Sequence, residues 1–338
     1  MSQSDGSSRS WHVRRLGTPT EALALDTVQP RRPEPAEARV AVGAVGLNFP
    51  DLLLCSGRYQ EQPELPFSPG YEAAGTVTDV GDGSRWRPGQ RVIVVPELPD
   101  GAMQEALTVP DDQLYAIPDD MPLATAAAFH IAYHTAHVAL HRRAGISAGD
   151  TLLVTGGAGG VGSAAIQLGR AIGAQVIATA GESQKADACT RLGAHHVIDL
   201  SQEVDLRQEV RAATDGRGAD VIVDVVGGDM FDTLRRCVAF EGRVVVIGFA
   251  SGSIASAPTN HLLLRNYAVL GLNLASYRQQ DPGLLQQTHD ALVGLYSAGA
   301  IAPEIYRELP YEEAPAALEL MGQRAVIGRV VLSVSNPA

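Results

Sequence analysis

Cysteine is scarce in this sequence of 338 residues, which contains only Cys55, Cys189 and Cys237. These three lie far apart and form no C-x-x-C pair, so the sequence argues against a disulfide framework and against a structural zinc site. Few and unpaired cysteines are typical of a protein kept in a reducing compartment. We therefore expect a cytoplasmic protein.

Excess positive charge and long apolar runs are also missing. The formal net charge is −12, whereas a nucleic-acid binder usually needs a basic face for the phosphates. No stretch reaches the roughly 18 to 20 apolar residues that are needed to cross a bilayer. Residues 1–10 are polar and lack the apolar segment of a signal peptide, so we expect a flexible tail there. These absences predict a soluble protein without a membrane or nucleic-acid partner.

What is present indicates a globular protein with two domains. Hydrophobic residues make up 45% of the chain and charged residues 19%, which suits a chain with a sizeable core. The first ~120 residues have short apolar runs separated by Gly and Pro, a pattern that predicts strands. The clearest candidates are residues 38–45, 75–80 and 91–95.

A repeating pattern of strand, glycine turn and helix begins near Leu123. Small and apolar residues at helical spacing predict one helix over 124–141, and further helices are predicted over 164–172 and 185–192. Short apolar runs predict buried strands over 151–155, 175–179, 196–198, 221–225 and 243–247, and a last strand is predicted over 328–334. Strands and helices that alternate with short loops indicate a parallel sheet covered on both faces.

The glycines Gly156, Gly159 and Gly162 form a Gly-x-x-Gly-x-x-Gly turn between a predicted strand and a predicted helix. Glycines at this spacing allow a tight turn and let the backbone approach a pyrophosphate closely. The start of the helix then offers unpaired N–H groups to the phosphates. In this context the motif predicts a dinucleotide-binding site, although a structural glycine turn is the alternative.

The end of the next strand bears on which dinucleotide binds. NAD-preferring sites usually carry an acidic residue there for the ribose 2′-hydroxyl, whereas this chain has small neutral residues. Ser183 and Lys185 follow and could hold a 2′-phosphate, while Glu182 would repel that phosphate if it pointed inward. The balance favours NADPH.

The chain resembles the zinc-independent quinone oxidoreductase (zeta-crystallin-like) branch of the medium-chain dehydrogenase/reductase superfamily. The resemblance covers nearly the whole chain from about residue 11. It rests on the order and spacing of the segments 45–51 (VGLNFPD), 56–59 (SGRY), 69–75 (PGYEAAG), the glycine turn at 156–162, and 248–252 (GFASG).

This resemblance implies an α/β fold of two domains. A GroES-like β-rich catalytic domain would comprise residues 1–122 and 303–338, and a Rossmann domain with a doubly wound parallel sheet would comprise 123–302. The nicotinamide would meet the substrate in a cleft between the domains. The edge of the Rossmann sheet near residues 267–274 would join two subunits in a homodimer.

The resemblance also assigns the site residues. Asn48, Tyr59 and Thr135 would surround the nicotinamide and the substrate as the catalytic residues, and the Tyr59 phenol could donate to a developing oxyanion or pass on a proton. The cofactor-binding residues would be Ala158, Gly159, Gly160, Val161, Gly162, Gly181, Ser183, Lys185, Ile247, Gly248, Phe249, Leu272, Asn273 and Leu274. Many relatives carry a polar ring at the position of Leu200, near the 2′-phosphate, and its loss here counts against NADPH.

Ligands for a catalytic metal are missing from the positions where zinc-dependent relatives hold one. Those positions correspond to Asn48, Tyr71 and approximately Ile131, and none of these is a good zinc ligand. We therefore predict no metal. Histidines 130, 134, 137 and 141 recur on one predicted helix face and could bind Zn or Ni, or else line the cleft beside the coenzyme.

Without a metal, a conjugated acceptor is favoured over a simple alcohol, because it spreads incoming hydride charge onto an oxygen that hydrogen-bond donors can stabilise. The sequence thus predicts an NADPH-dependent, zinc-independent oxidoreductase that reduces a quinone or another α,β-unsaturated carbonyl compound. Two alternatives stay open: an enoyl-thioester reductase, and a non-catalytic member of the family that binds NADPH or RNA.

Overall fold

The computed structural model describes residues 7–335. The chain divides into two compact units. One, here called the terminal unit, comprises the chain up to Ile131 and again from Ile305; the other, the central unit, is Ala132–Glu304.

The terminal unit is built mainly of antiparallel sheet. Its strands are β1 (Ser8–Val13), β2 (Leu23–Val28), β3 (Glu37–Gly46), β4 (Glu72–Val80), β5 (Arg91–Val94), β6 (Ala106–Pro110), β7 (Leu114–Ala116), β14 (Ile305–Pro310) and β15 (Arg329–Ser333). Strands β1 and β2 pair with each other, and the larger sheet has the order β14-β15-β3-β4-β5-β7, with β6 also paired to β3. Strand β3 alternates between buried and half-buried residues, which is the pattern of a strand with one face on a core.

Short helices cover the terminal sheet. They are α1 (Pro19–Ala22), α2 (Phe49–Cys55), α3 (Leu123–Ala127) and α12 (Ala314–Gly322), with 3-10 turns at Asp111–Gln113 and Tyr311–Glu313. The last strand, β15, pairs with β3, so the two ends of the chain fold into one sheet. The fully buried side chains of Val40, Leu47 and Val330 belong to one hydrophobic core shared by both segments.

The central unit contains one parallel sheet of six strands. They are β8 (Thr151–Val154), β9 (Gln175–Ala180), β10 (His196–Asp199), β11 (Ala219–Asp224), β12 (Val238–Val246) and β13 (Ala268–Gly271). Their order is β10-β9-β8-β11-β12-β13, and every neighbouring pair is parallel. This is the strand order of a dinucleotide-binding Rossmann sheet, and it confirms the predicted fold class.

Helices connect consecutive strands of the central sheet, and two more follow the last strand, β13. They are α5 (Gly160–Ile172), α6 (Ser183–Arg191), α7 (Leu206–Ala212), α8 (Asp229–Leu234), α9 (Thr259–Arg265), α10 (Ala275–Gln280) and α11 (Pro282–Ser297). Upstream of β8, helix α4 (His130–His137) runs into a π-helical segment, Val138–Ala144. Helix α5 ends at Gly173, whose left-handed φ of 88° allows the chain to turn sharply into β9.

Most elements predicted from the sequence are present, and two predictions are wrong. The single helix over 124–141 is instead α3, α4 and a π-helical segment, because the chain leaves the helical path between Ala127 and His130. The predicted flexible tail includes Ser8–Ser10, which belong to β1 and pair with β2; residues 1–6 lie outside the described part of the chain. Within residues 7–335, no helix is both long and apolar enough to span a membrane.

Candidate active site

Asn48 lies at the start of α2, in the terminal unit. Its backbone is extended, Pro50 occupies the first helical turn, and the Asp51 carboxylate accepts the Asn48 N–H at 2.7 Å. This combination of cap, proline and acid is a typical helix start. The Asn48 side chain bonds to groups outside the helix. Its Nδ2 donates to the carbonyl of Gly46 at 3.2 Å and to Glu72 Oε1 at 3.0 Å.

Glu72 is the first residue of β4 and is completely buried. Its carboxylate forms an ion pair with the buried Arg329 of β15, whose Nη1 also donates to Asn48 Oδ1 at 2.8 Å. The other carboxylate oxygen accepts the N–H of Ile131 at 2.9 Å. Burial raises the pKa of Glu72, and the charge of Arg329 opposes that shift. A charge this deep is tolerated because it is paired and hydrogen-bonded on several sides.

This network occupies both amide hydrogens of Asn48. The side chain therefore holds Glu72 and the Gly46 carbonyl in place and has no N–H left for another acceptor. The positions at which the resemblance looks for zinc ligands thus hold an engaged amide (Asn48), a phenol (Tyr71) and, at Ile131, a side chain without a ligand atom.

Two tyrosines lie near this network in the terminal unit. The rings of Tyr59 and Tyr71 meet edge to face with centroids 6.0 Å apart. The Tyr71 hydroxyl donates to Glu61 Oε2 at 3.5 Å. Burial raises the pKa of both phenols, and nearby carboxylates, Glu61 among them, raise them further. Both hydroxyls consequently stay protonated at neutral pH and can act as hydrogen-bond donors.

Asp51 belongs to α2 and is completely buried. Burial raises its pKa from 3.8 to about 7, although the Asn48 N–H and the charge of Arg329 favour the ionised form. The charge of Asp51 also helps to raise the pKa of each tyrosine. This carboxyl can therefore gain or lose a proton near neutral pH.

The glycine turn of the central unit lies between β8 and α5. Gly156 has a left-handed φ of 57°, and a Cβ on Gly162 would lie only 2.2 Å from the Gly156 carbonyl oxygen. These two glycines are therefore required by the turn itself. Gly159 differs: a Cβ there would have one neighbour within 4 Å, at 3.4 Å, so the space beside it is open. No side chain caps α5, and its first N–H groups are available to a ligand.

The predicted coenzyme residues all lie at one edge of the central sheet. Parallel strands end at the same edge, and each predicted group directly follows a strand. The glycine turn follows β8, Gly181 to Lys185 follow β9, Ile247 to Phe249 follow β12, and Leu272 to Leu274 follow β13. The backbone connects neighbouring groups, with the N–H of Leu272 donating to Val246 at 3.1 Å. The sheet thus brings together residues that are far apart in the sequence.

The loop after β9 has more negative charge around it than we predicted from the sequence. Lys185, the only lysine in the chain, is largely buried and lies 3.4 Å from Glu182 Oε1. Ser183 donates to Asp199 Oδ2 at 2.8 Å. Hydrogen bonds from Ser201 and Ser183 lower the pKa of Asp199, which keeps it ionised. Asp199 ends β10 and was missed, although a charged residue after a short apolar run is a visible signal.

Asp224 was also missed. It ends β11, is fully buried, and its Oδ1 accepts from Thr155 Oγ1 at 3.2 Å and from the N–H groups of Val226 and Gly227 at 3.0 Å. Asp224 therefore fixes the loop after β11 beside the loop that begins with Thr155. The sequence signal was an acidic residue within an otherwise apolar strand.

Thr135 lies on the helical segment before β8, together with His130, His134, His137 and His141, whereas His289 belongs to α11. Thr135 is buried in α4. Within the central unit, the rings of His134 and His289 stack with centroids 5.7 Å apart, and those of His137 and His141 lie 4.2 Å apart. Burial, with the neighbouring His141, lowers the pKa of His137 to about 4, so that ring is neutral. In the terminal unit, His130 packs against Tyr115 with centroids 4.4 Å apart.

Family models match both parts of the chain. Residues 34–119 match the alcohol dehydrogenase GroES-like domain, and residues 160–289 match the zinc-binding dehydrogenase model. A quinone oxidoreductase-like protein 2 from Bos taurus is 38% identical over 97% of this chain and 94% of its own length.

Solved structures agree with these matches. The Escherichia coli quinone oxidoreductase complexed with NADPH is similar with a TM-score of 0.89 at 29% identity, over 96% of this chain and 99% of that one. The CurK enoyl reductase is similar with a TM-score of 0.87 at 27% identity, over 98% and 100% of the two chains. The fold, the glycine turn and these similarities lead to one conclusion: the chain belongs to the quinone oxidoreductase-like branch of the medium-chain dehydrogenase/reductase superfamily.

Proposed function

We propose that this protein is an NADPH-dependent reductase of quinones or other α,β-unsaturated carbonyl compounds and that it works without zinc. The observation that carries the proposal is the arrangement in the terminal unit. Where zinc-dependent relatives hold their metal, this chain has the engaged amide of Asn48 and the protonated phenol of Tyr71. These two positions therefore supply no good zinc ligand, and the protonated phenols of Tyr71 and its neighbour Tyr59 are the hydrogen-bond donors of the site.

The turn around Gly159 supports the choice of a dinucleotide. Its open space and the free N–H groups at the start of α5 suit a pyrophosphate. Bound NADPH supplies a hydride, which is the reducing equivalent that the proposed reaction needs. The loops after β12 and β13, including Gly248 and Asn273, would hold the nicotinamide half through backbone contacts. A similar solved structure that contains NADPH supports this choice.

Lys185 and Ser183 would hold the 2′-phosphate. Lys185 already lies beside the start of α6, and Ser183 could turn its hydroxyl from Asp199 to the phosphate. Asp199 and Glu182 oppose this binding through their negative charge. We infer that NADPH is preferred over NADH by a moderate factor, because one lysine must offset two nearby carboxylates.

A conjugated carbonyl compound suits the donors that are present. Hydride addition to an enone or quinone places negative charge on an oxygen, and a donor aimed at that oxygen stabilises it without a metal. We assign Tyr59 and Thr135 to this role. Asn48 acts as a positioning residue because both of its amide hydrogens are already used.

The test is a panel assay that follows NADPH oxidation with quinones, alkenals and saturated ketones. The proposal predicts turnover with the conjugated compounds, none with saturated ketones, and no loss after treatment with a chelator. Tyr59→Phe should lower kcat by roughly 100-fold, as expected for loss of a general acid. Tyr71→Phe, which removes the neighbouring phenol, is the matched comparison. Turnover that requires added zinc would overturn the proposal.

A second candidate is reduction of an enoyl thioester. Its support is the similarity to the CurK enoyl reductase. Comparison of an enoyl thioester with the corresponding free enone separates the candidates: a much higher kcat/KM for the thioester would favour this second function. NADPH binding without turnover on any conjugated acceptor would instead favour a non-catalytic family member.

We also propose a homodimer that forms through β13. This strand is the last in the sheet order and has one unpaired edge among the described strands. Large apolar side chains nearby are highly exposed, with Leu263 at 78% and Leu264 at 75%. An open edge beside exposed apolar surface suits pairing with a second copy. Light scattering at the monomer mass would contradict the dimer.

A reducing cytoplasm fits the three cysteines. Cys55, Cys189 and Cys237 are all free and buried. Burial raises the pKa of each thiol to about 11 or 12, so the reactive thiolate form is rare. We therefore propose a cytoplasmic location, which fluorescence imaging of a tagged protein in its own cell would test.

A further inference from the structure

A groove of about 330 Å³ on the central unit is lined by five basic residues: Arg207, Arg235, Arg236, His261 and Arg265. Arg207 belongs to α7, Arg235 and Arg236 follow α8, and the other two belong to α9. Three helices therefore converge on one small concave surface. No acidic residue is among those that line it.

Little negative charge balances this groove. Arg235 pairs with Asp232 at 2.7 Å. Asp205 uses its carboxylate to accept the backbone N–H groups of Arg207 and Gln208. Among the residues that the structure describes, Arg207, Arg236 and Arg265 have no ion-pair partner within 4.0 Å. Uncompensated cations at one place are unusual in a chain whose net charge is −12.

The cationic groups affect one another. Burial lowers the pKa of His261, and the charges of Arg235, Arg265 and Arg236 lower it further. His261 also lies 3.2 Å from the Tyr267 hydroxyl, which fixes its ring at the side of the groove. The positive charges around the empty groove repel one another, and a bound anion would offset this repulsion.

The groove is separate from the glycine turn. The turn and the proposed 2′-phosphate residues lie on α5 and α6, whereas the groove is built from α7, α8 and α9. None of the five groove residues is among the residues proposed to hold the coenzyme.

We propose that this groove is a second anion site, which binds a small molecule with two or more phosphate groups. Arginine presents a planar fork of N–H donors that matches phosphate oxygens two at a time. Three unpaired guanidinium groups around one groove are more than a single monoanion can satisfy, whereas a diphosphate offers enough oxygens and charge. The groove is too small for a long polymer to fill, so we favour a small molecule over RNA.

The test uses calorimetric titration of inorganic pyrophosphate into the full-length protein saturated with NADPH, so that the glycine turn is occupied. The wild-type protein should bind pyrophosphate, and the double variant Arg236→Ala/Arg265→Ala should bind it at least about tenfold more weakly. The control Arg142→Ala/Arg191→Ala removes two exposed arginines of the same unit and should bind as the wild type does. The variant Arg236→Lys/Arg265→Lys should have an intermediate affinity for pyrophosphate, because lysine keeps the charge and lacks the planar fork of donors.

Several results would overturn the proposal. Equal pyrophosphate affinity of the groove variant and the control would remove the groove from the site. Competition between NADPH and pyrophosphate would place the anion in the glycine turn. Equal binding of citrate would indicate a general anion surface, and RNA binding that the groove variant loses, without pyrophosphate binding, would indicate a nucleic-acid site. Unchanged NADPH affinity in the groove variant shows that the fold is intact.

Discussion

Arg329 and Glu72 form a buried ion pair although 257 positions separate them in the chain. The pair joins β15 to β4, and Asn48 bonds to both partners. Because β15 comes from the end of the chain, the candidate site in the terminal unit depends on both segments of that unit. Glu72 takes one amide hydrogen of Asn48 and the Gly46 carbonyl takes the other.

Removal of the Glu72 charge should destabilise the protein strongly. Glu72→Gln leaves Arg329 buried without its ion-pair partner, and removal of one partner of a buried pair costs about 3 to 5 kcal/mol in other proteins. Glu312→Gln is the control, because it breaks the exposed pair with Arg9 and should cost no more than about 1 kcal/mol. Urea denaturation measures both free energies of unfolding. Similar values for the two variants would show that the buried pair has no special role.

Asp51 should make stability depend on pH in a specific window. Unfolded, its carboxyl ionises near its ordinary pKa of 3.8; folded, burial raises the pKa to about 7. Between these values the unfolded state binds fewer protons, so the contribution of Asp51 to stability falls as pH rises from about 4 to about 7 and then stays constant. Over this window the contribution of Asp51 to the free energy of unfolding falls by on the order of 4 kcal/mol.

The measurement is the difference in unfolding free energy between the wild type and Asp51→Asn at several pH values. This difference should change steadily from pH 4 to pH 7, and asparagine keeps an oxygen for the Asn48 N–H. Asp79→Asn, which removes an exposed carboxylate, is the comparison variant. A flat curve for Asp51→Asn would contradict the raised pKa.

The glycine turn allows binding to be separated from folding. Gly159→Ala should keep stability close to the wild type, because its backbone is extended and the new Cβ meets only one atom, at 3.4 Å. The same variant should bind NADPH at least about tenfold more weakly, because the methyl group fills space that the pyrophosphate needs. Gly162→Ala should lose both stability and NADPH binding, since its Cβ would collide with the turn.

The control for these variants is Gly294→Ala. Gly294 is exposed in α11, and a Cβ there has no neighbour within 4 Å. This variant should bind NADPH normally and gain up to about 1 kcal/mol of stability from the better helix former. Fluorescence titration and thermal denaturation measure the two properties. Normal NADPH binding by Gly159→Ala would exclude this turn as the pyrophosphate site.

Lys185 should distinguish NADPH from NADH. Lys185→Gln removes a charge-assisted bond of about 1.5 to 3 kcal/mol, so NADPH affinity should fall roughly 10- to 100-fold while NADH affinity changes little. Asp199→Asn should have the opposite effect, because it removes a negative charge bonded to Ser183. Since Lys185 is the only lysine, its modification by an amine reagent can be followed by mass spectrometry. Equal protection of Lys185 by NADH and NADPH would contradict its assignment to the 2′-phosphate.

The fold of the central unit could be predicted well from local patterns. Short apolar runs such as Leu152–Val154 have few alternatives when glycine turns and amphipathic helices follow them, and the observed strands match those predictions. The predicted helix over 124–141 failed because alanine-rich sequence suits a helix everywhere, and the break between Ala127 and His130 contains no glycine or proline that would mark it in the sequence.

The candidate site was predictable only in part. Backbone sites such as the glycine turn have a sequence signature, because glycine is required where a Cβ would collide. The Glu72–Arg329 pair has none, since its partners meet only after the two ends of the chain form one sheet. Asp199 belongs to the same class: its contact with Ser183 depends on the pairing of β10 with β9. The roles of the predicted site residues and the domain boundaries at 122 and 303 stay predictions.

The most direct measurement is steady-state NADPH oxidation by chelator-treated, metal-free protein with a quinone or an enone as acceptor. The proposed reaction uses hydrogen-bond donors such as Tyr59 and needs no metal, so turnover should equal that of untreated protein and should disappear in Gly159→Ala at low NADPH concentration. Loss of turnover on chelation that added zinc restores would contradict a reductase that works through hydrogen-bond donors alone.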